Sequence, residues 1–489
     1  MSRIERLGFQ AKVALSTTSQ SVGSLLIALG GVAVVRITTH RLGPTDYGTF
    51  ALIVTYVTFF TMLADLGITT MTSIELGKQN ADRSSVLSSA LSFRIALSLI
   101  LIPVIQGTAF ILYPHETTLF RIALAVMSLD VLFSTLQITL TTAFIARVRG
   151  DRIAALNVVN RALYVGGVIV VAIERGTYFD YICAYVGADC VVAILYAVAV
   201  NRSILLKWSA NLGQWWQMAR VALPLGTIQI IGSLYLSVAT IMVSIICSRE
   251  QLGFYSLAFN ALVVIVSMPI FLMQALIPSL VDAVLEVAHR LVNRACDLAY
   301  TVGVLVAVGG VILRHDAVLA LGGPKFLPAA NPFAILFVTV PITSLITVLG
   351  YAGISLDRYR QLLPVGVSAL VLNVAINAIL IPKFGPSGAA TALLISESIS
   401  LVGTYLVFRR ITGIHVQWAK LWRPTVAAVV VLPLMMLRGS IWATLNPIVG
   451  VCVGGCLVVA AYIVCLTVLG GLPPEVRAHL TRRDRRGAE

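Results

Sequence analysis

Apolar stretches of about 20 residues recur along the whole of this 489-residue chain, and their length limits the fold more than any other feature. A helix rises about 1.5 Å per residue, so about 20 residues cross the ~30 Å hydrocarbon core of a bilayer. Hydropathy places spans near residues 13–36, 48–73, 87–113, 119–145, 153–173, 180–200 and 219–247. Seven more fall near 253–281, 293–313, 329–351, 361–381, 386–408, 424–441 and 444–470. With 58% hydrophobic and 11% charged residues, no soluble domain of useful size is left over, and lipid has to cover the apolar surplus. The expectation is an all-α integral membrane protein with about fourteen transmembrane helices.

A net charge of +14 invites a nucleic-acid reading, which the distribution of the charge removes. With the N-terminus inside, twenty-four Lys and Arg fall on inside segments and seven on outside loops. That asymmetry is the positive-inside bias, so the charge encodes topology, with both termini expected in the cytoplasm of a multi-pass inner-membrane protein. Ser2-Arg3-Ile4-Glu5-Arg6 resembles a signal-peptide start, but the apolar run after it is too long and lacks a small-residue cleavage site, so the first span is expected to be retained. The seven cysteines sit mostly within spans without metal-ligand spacing and read as small packing residues. His40, His115 and His315 lie on separate outside loops without metal or triad spacing. No Gly-rich nucleotide loop is evident. Neither a cofactor nor a metal is expected, and transport is favoured over catalysis.

Spans 1–6 and 7–12 repeat with the same rhythm, spans 1 and 7 starting as far apart as spans 6 and 12. Asp46-Tyr47-Gly48-Thr49-Phe50-Ala51-Leu52 aligns with Gln251-Leu252-Gly253-Phe254-Tyr255-Ser256-Leu257, and Asp151-Arg152 with Asp357-Arg358. An even-numbered unit re-enters from the same side, so two six-helix lobes would be related by a pseudo-twofold along the membrane normal, with a cavity between them. The expected division is a first lobe at 1–200, an interfacial linker at 201–220 carrying Lys207, Trp208, Trp215 and Trp216, a second lobe at 221–410, and two appended helices with a basic tail at 411–489. Pro103, Pro269, Pro278, Pro341 and Pro364 interrupt spans or their ends and would supply bending points.

The stretch from Arg36 to Gly67 opens R-I-T-T-H-R-L-G-P-T-D-Y-G-T-F-A-L and closes A-D-L-G. Further along stands I-P-K-F-G-P-S-G-A-A, residues 381–390, leading to Ser396-Glu397 and preceded by Asn373 and Asn377. Both segments resemble Wzx-type oligosaccharide flippases, a branch of the multidrug/oligosaccharidyl-lipid/polysaccharide superfamily. The resemblance implies two six-helix lobes around a central cationic cavity, a lipid-pyrophosphate-linked sugar chain as cargo, and alternating access across the cytoplasmic membrane. In one respect the chain departs from the family: Leu236 to Cys247 of span 7 carries no charge where the family pattern has an acidic residue, which speaks against ion coupling there.

An oligosaccharide pyrophosphate carries at least two negative charges, and guanidinium groups match phosphate because they stay charged and bind it bidentately. Arg36, Arg94 and Arg161 lie in or at the ends of spans, where a charge costs about 2.5 to 3.5 kcal/mol at mid-membrane, so such groups normally face a water-filled cavity or a partner. Snorkelling of Arg36 to the headgroups and a buried ion pair for the other two are the bland alternatives. Arg121, near the outer surface, reads as an anchor. The intramembrane acids Asp65, Asp130, Asp189 and Glu397 would bind a proton or sodium ion, or neutralise arginines. Asn157 with Asn160, and Asn373 with Asn377, share helix faces and suit either sugar hydroxyls or interhelical hydrogen bonds.

The reading is therefore a gradient-driven flippase for a lipid-linked oligosaccharide, working among membrane lipids and beside polysaccharide polymerase machinery. A multidrug or small-cation antiporter of the same superfamily, which would prefer an acidic, aromatic cavity, is the nearest alternative. A polytopic polymerase or ligase is a further one, although such enzymes usually carry a long exported loop or soluble domain, and every outside loop here is short.

Overall fold

The computed structural model describes residues 3–77, 82–145, 150–201, 208, 212–281, 284–356, 358–433 and 446–471. Among them every regular element is helical, and ten helices are long and apolar enough to cross a membrane. Two of these ten helices each carry two of the fourteen expected spans. Expected spans 1 and 2 fall on α1 (Arg3–Asp65), whose two helical limbs meet at a kink at Gly43 (φ 73°, ψ 178°). Spans 11 and 12 fall on α13 (Tyr359–Thr412), which turns at Gly385 (φ 55°, ψ −132°). At both turns the glycine adopts a backbone closed to other residues, and a proline follows it, Pro44 and Pro386. Proline suits the first turn of the next helix, because its missing N–H would have had no partner there. Span 7 lies on α8 (Leu212–Ile246), and much of span 13 lies outside the described residues.

By contacts the chain divides into two compact units, Met1–Gly253 and Phe254–Glu489. The first unit contains α1 and α2 (Ile68–Gly77), α3 (Arg83–Leu112), α4 (Thr118–Ser128), α5 (Asp130–Ile145), α6 (Gly150–Ile173), α7 (Tyr178–Asn201) and α8 (Leu212–Ile246). Asp82 caps α3 by accepting from Ser84 N at 3.1 Å and Ser85 N at 3.2 Å, and Thr117 caps α4, satisfying N–H groups that the helix itself leaves open. A break at Leu129 separates α4 from α5 in the middle of expected span 4. Leu76, Leu87, Leu140, Phe144, Val192 and Tyr196 join α2, α3, α5 and α7 in one apolar cluster.

The helix expected to link the halves is the start of α8. Residues 212–220 run without interruption into span 7, Trp215 lies 5.8 Å from the Phe93 ring, and Ser89 donates to Gln214 Oε1 at 3.1 Å. The remainder of that expected linker, 202–207 and 209–211, lies outside the described residues. Hydropathy marks where a segment is apolar, and it carries no signal for a helix that begins in the interface and continues into the bilayer.

α9 (Arg249–Val281) begins in the first unit. There Gly48 and Gly253, the glycines that the internal repeat aligns, are in reciprocal contact: a Cβ on Gly48 would run into the Arg249 carbonyl oxygen, and one on Gly253 into that of Pro44. The second unit contains α10 (Leu285–Ile312), α11 (Arg314–Gly322), a 3-10 turn at Pro324–Ala329, α12 (Ala330–Ser355), α13, α14 (Trp418–Val431) and α15 (Pro447–Val468). Val292, Cys296, Leu345, Val348 and Phe408 knit α10, α12 and α13 together. Val304, Val308, Ala427, Val431 and Val458 seat α14 and α15 on α10, with Tyr462 donating to the Thr301 carbonyl at 3.0 Å. The basic tail, 472–489, lies outside the described residues. All seven cysteines are free thiols.

Candidate functional site

Arg94 is the largest fully buried side chain of the described residues, at 1% exposure. It forms an ion pair with Asp65 at the end of α1, its Nη1 donates to Thr139 Oγ1 at 2.7 Å, and its Nη2 donates to Thr69 Oγ1 at 2.7 Å. Thr69 in turn donates to Asp65 Oδ1. Four helices, α1, α2, α3 and α5, are thus fixed around one guanidinium. Of the two uses open to Arg94 and Asp65 from sequence, this geometry matches the charge pair, and it leaves no Arg94 surface for cargo.

A second polar cluster lies near the middle of the helices Thr118–Phe144, Arg152–Ile173 and Tyr178–Val200. Asp130, at the start of α5, accepts from Ser134 Oγ at 3.0 Å through Oδ2. Asp189 on α7 accepts from Gln137 Nε2 at 3.2 Å and from Asn160 Nδ2 through its Oδ1, and Gln137 also donates to the Asp189 carbonyl at 3.0 Å. The two carboxyls come within hydrogen-bonding reach of each other, and Asp130 Oδ1, fully buried, has no donor. Tyr164 and Tyr185 meet edge to face at 5.0 Å beside this pair. Arg161, half-buried on α6, interacts with both tyrosines. Its stem lies against α1, since a Cβ on Gly30 would meet Arg161 Cγ at 2.6 Å. Among the described residues Arg161 has no acid within ion-pair distance. Asn157 stands apart from this cluster, accepting from Tyr196 at 3.2 Å.

Arg36 lies further along the same α1–α6 seam. With Ile37, His40, Arg41, Ile169, Ala172 and Ile173 it lines an open depression of about 380 Å³. The remaining residues singled out from sequence lie in the second unit and are buried. Asn373 donates to Ser396 Oγ at 2.8 Å, Asn377 donates to Asn373 Oδ1 at 2.9 Å, and Glu397 accepts from Thr343 at 3.0 Å. These bonds join the two limbs of α13 to each other and to α12, as interhelical polar bonds do in membranes.

Sequence reasoning missed Gln137, Tyr164 and Tyr185. Each was legible by spacing: Gln137 follows Asp130 by seven residues, Tyr164 follows Asn160 by four and Tyr185 precedes Asp189 by four, which puts each on its neighbour's helix face. Arg249, counted among outside-loop cations, pairs with Glu116 and lies over the rings of Tyr113 (5.2 Å) and Phe120 (5.9 Å). No sequence spacing links Arg249 to a residue so distant in the chain. Arg121 donates to the Pro114 carbonyl at 3.0 Å and lies over Phe110, a local contact.

Residues 10–284, more than half the chain, match the family described as polysaccharide biosynthesis protein. The chain belongs to that family. A probable flippase, AglR, of Haloferax volcanii is 28% identical to this polysaccharide biosynthesis protein over 171 residues, 33% of this chain and 36% of that protein, so the match spans about a third of the curated relative's length. Among solved structures, a lipid II flippase, MurJ, superposes with a TM-score of 0.78 at 11% identity over 92% of this chain and 98% of that one. A multidrug resistance transporter of the MATE family superposes with a TM-score of 0.61 at 13% identity over 83% and 94%. At these identities the two likenesses show a shared fold. They agree with the helical membrane architecture.

Proposed function

We propose that this polysaccharide biosynthesis family protein flips a lipid-pyrophosphate-linked oligosaccharide across the cytoplasmic membrane by alternating access, with both termini in the cytoplasm. The observation that carries the reading is Arg161: a half-buried side chain at mid-helix, its stem held against Gly30, with no acid pairing its guanidinium among the described residues. Such a charge is expensive in lipid unless it faces water or an anion, and a pyrophosphate is an anion that a guanidinium binds bidentately. Arg36, His40 and Arg41 extend basic character along the same seam. The domain order expected from the repeat, two six-helix lobes followed by two further helices, supplies the moving parts of the scheme. Its cargo would be handed to polymerase machinery outside the membrane.

The acid pair Asp130–Asp189 favours a second reading, antiport of a cationic drug, in which the acids bind the cargo. Arg161 separates the two readings. For a flippase, Arg161→Ala stops the export of linked glycan while protein in the membrane stays at the wild-type level. Wild-type export by a well-expressed Arg161→Ala chain would exclude a role for Arg161 in handling an anion.

A further inference from the structure

Two carboxyl groups that meet inside a low-dielectric helix bundle cannot both stay ionised without a cation between them, because like charges at contact repel most where water is absent. Asp130 and Asp189 meet in this way. The donors around them are unevenly distributed. Asp189 Oδ1 takes the amides of Gln137 and Asn160, donors suited to a carboxylate. Asp130 has Ser134 on Oδ2 and nothing on Oδ1. A buried oxygen without a donor among the described residues, on a carboxyl within hydrogen-bonding reach of a second one, fits a carboxylic acid that donates its own hydrogen.

We infer that Asp130 and Asp189 share one proton, carried on Asp130 and donated to Asp189, and that this pair is the protonation site through which a proton gradient drives the transporter. The inference rests on the transporter reading for its purpose and on the geometry alone for its chemistry. An Asp130 O–H bond forms with a proton from water on one side of the membrane. That bond breaks when the pair opens to the other side, and the proton returns to water there; no other bond is made or broken.

The surrounding charges leave this assignment intact. From α7, Tyr185 faces the pair, and from α6, Tyr164 and Arg161 act on Tyr185. From α1, Tyr47 interacts with Tyr164, and Asp65 is taken up by Arg94 of α3. From α4, Arg121 turns to Phe110 and Pro114. Glu75 of α2 adjoins Leu76, which packs with Phe144 at the opposite end of α5. Among the described residues, no group of three or more His, Cys, Asp or Glu side chains is placed to hold a metal ion. Tyr185 feels both the acid pair and Arg161, which gives the proton a consequence, because its loss adds a negative charge on the far side of that ring from the guanidinium proposed to hold the cargo. Deprotonation would then compete with the bound anion and favour its release.

The test is infrared spectroscopy of the purified full chain in lipid, reading the carbonyl stretch of protonated carboxyl groups. The wild type is expected to show one buried protonated carboxyl at neutral pH, and Asp130→Asn to lose it, because the amides of Gln137 and Asn160 on Asp189 suit a carboxylate. Asn keeps the volume of Asp, and the wild-type spectrum stands as a test even if a variant fails to fold. Absence of the band from wild type at neutral pH, or its survival in Asp130→Asn, overturns the shared proton. Loss of the wild-type band on adding sodium at constant pH makes the occupant a metal ion and also overturns it. The readout involves no cargo. A chain that shows the band but leaves linked glycans untouched in cells rejects the flippase reading alone, and a flipping chain without the band rejects the dyad alone.

Discussion

Arg94 and Arg161 look alike in sequence, each an arginine several residues into an apolar span, and their surroundings give them opposite roles. Arg94 is sealed among Asp65, Thr69 and Thr139, so removing it strands a buried carboxylate. Arg94→Ala should destabilise the protein by about 3 to 5 kcal/mol, read as a fall in the unfolding midpoint in detergent. The double change Arg94→Leu with Asp65→Leu should recover most of that loss, since replacing a buried pair with apolar groups is often neutral. A double variant as unstable as the single one would show that the hydroxyls around the pair, rather than its charges, hold the four helices. Arg161 has no acid to strand, so Arg161→Ala should leave the unfolding midpoint within about 1 kcal/mol of wild type while removing transport. The sequence identifies both residues as costly charges. It does not separate them, because the partner of Arg94 is 29 positions away and on another helix.

At the level of helices, hydropathy and turn chemistry were legible where a local rule decides the outcome. Gly43-Pro44 and Gly385-Pro386 both lie inside motifs prominent in the sequence, and both became turns between spans. The start of α8 ahead of span 7 depends on tertiary placement and left no periodic signal. Gly385 adopts φ 55° and ψ −132°, a region that costs a residue with a Cβ about 1 to 3 kcal/mol. Gly385→Ala should lower thermal stability by that order, and an unchanged midpoint would mean that the turn relaxes freely. Gly48→Ala should be worse tolerated, because its methyl meets the backbone carbonyl of Arg249 rather than a movable side chain. Comparing the yield of folded protein from the two variants checks the order. The internal repeat was visible as spacing and a short alignment, and the reciprocal contact of Gly48 and Gly253 gives that alignment a physical counterpart within the first unit.

For the molecule as a whole, composition and positive-inside charge were enough to select a polytopic helical membrane protein, and the family match and the superpositions agree with that choice. The candidate site was legible only in part. Asp130, Asp189, Asn160 and Arg161 were each singled out, but their convergence from α5, α6 and α7 required the packing of three helices whose register no sequence period fixes. If the acid pair drives transport, Asp130→Asn should abolish the response of glycan export to an imposed pH gradient while the cargo still binds. A gradient response equal to wild type would exclude the pair from coupling.

The central claim, that the cargo is a lipid-linked glycan, is tested most directly by deleting the gene and analysing membrane lipids by mass spectrometry. Accumulation of a completed pyrophosphate-linked glycan accessible from the cytoplasmic face, reversed by the wild-type chain and not by Arg161→Ala, is the predicted result. A pool of linked glycans unchanged by the deletion would contradict the claim and turn attention to export of a cationic solute.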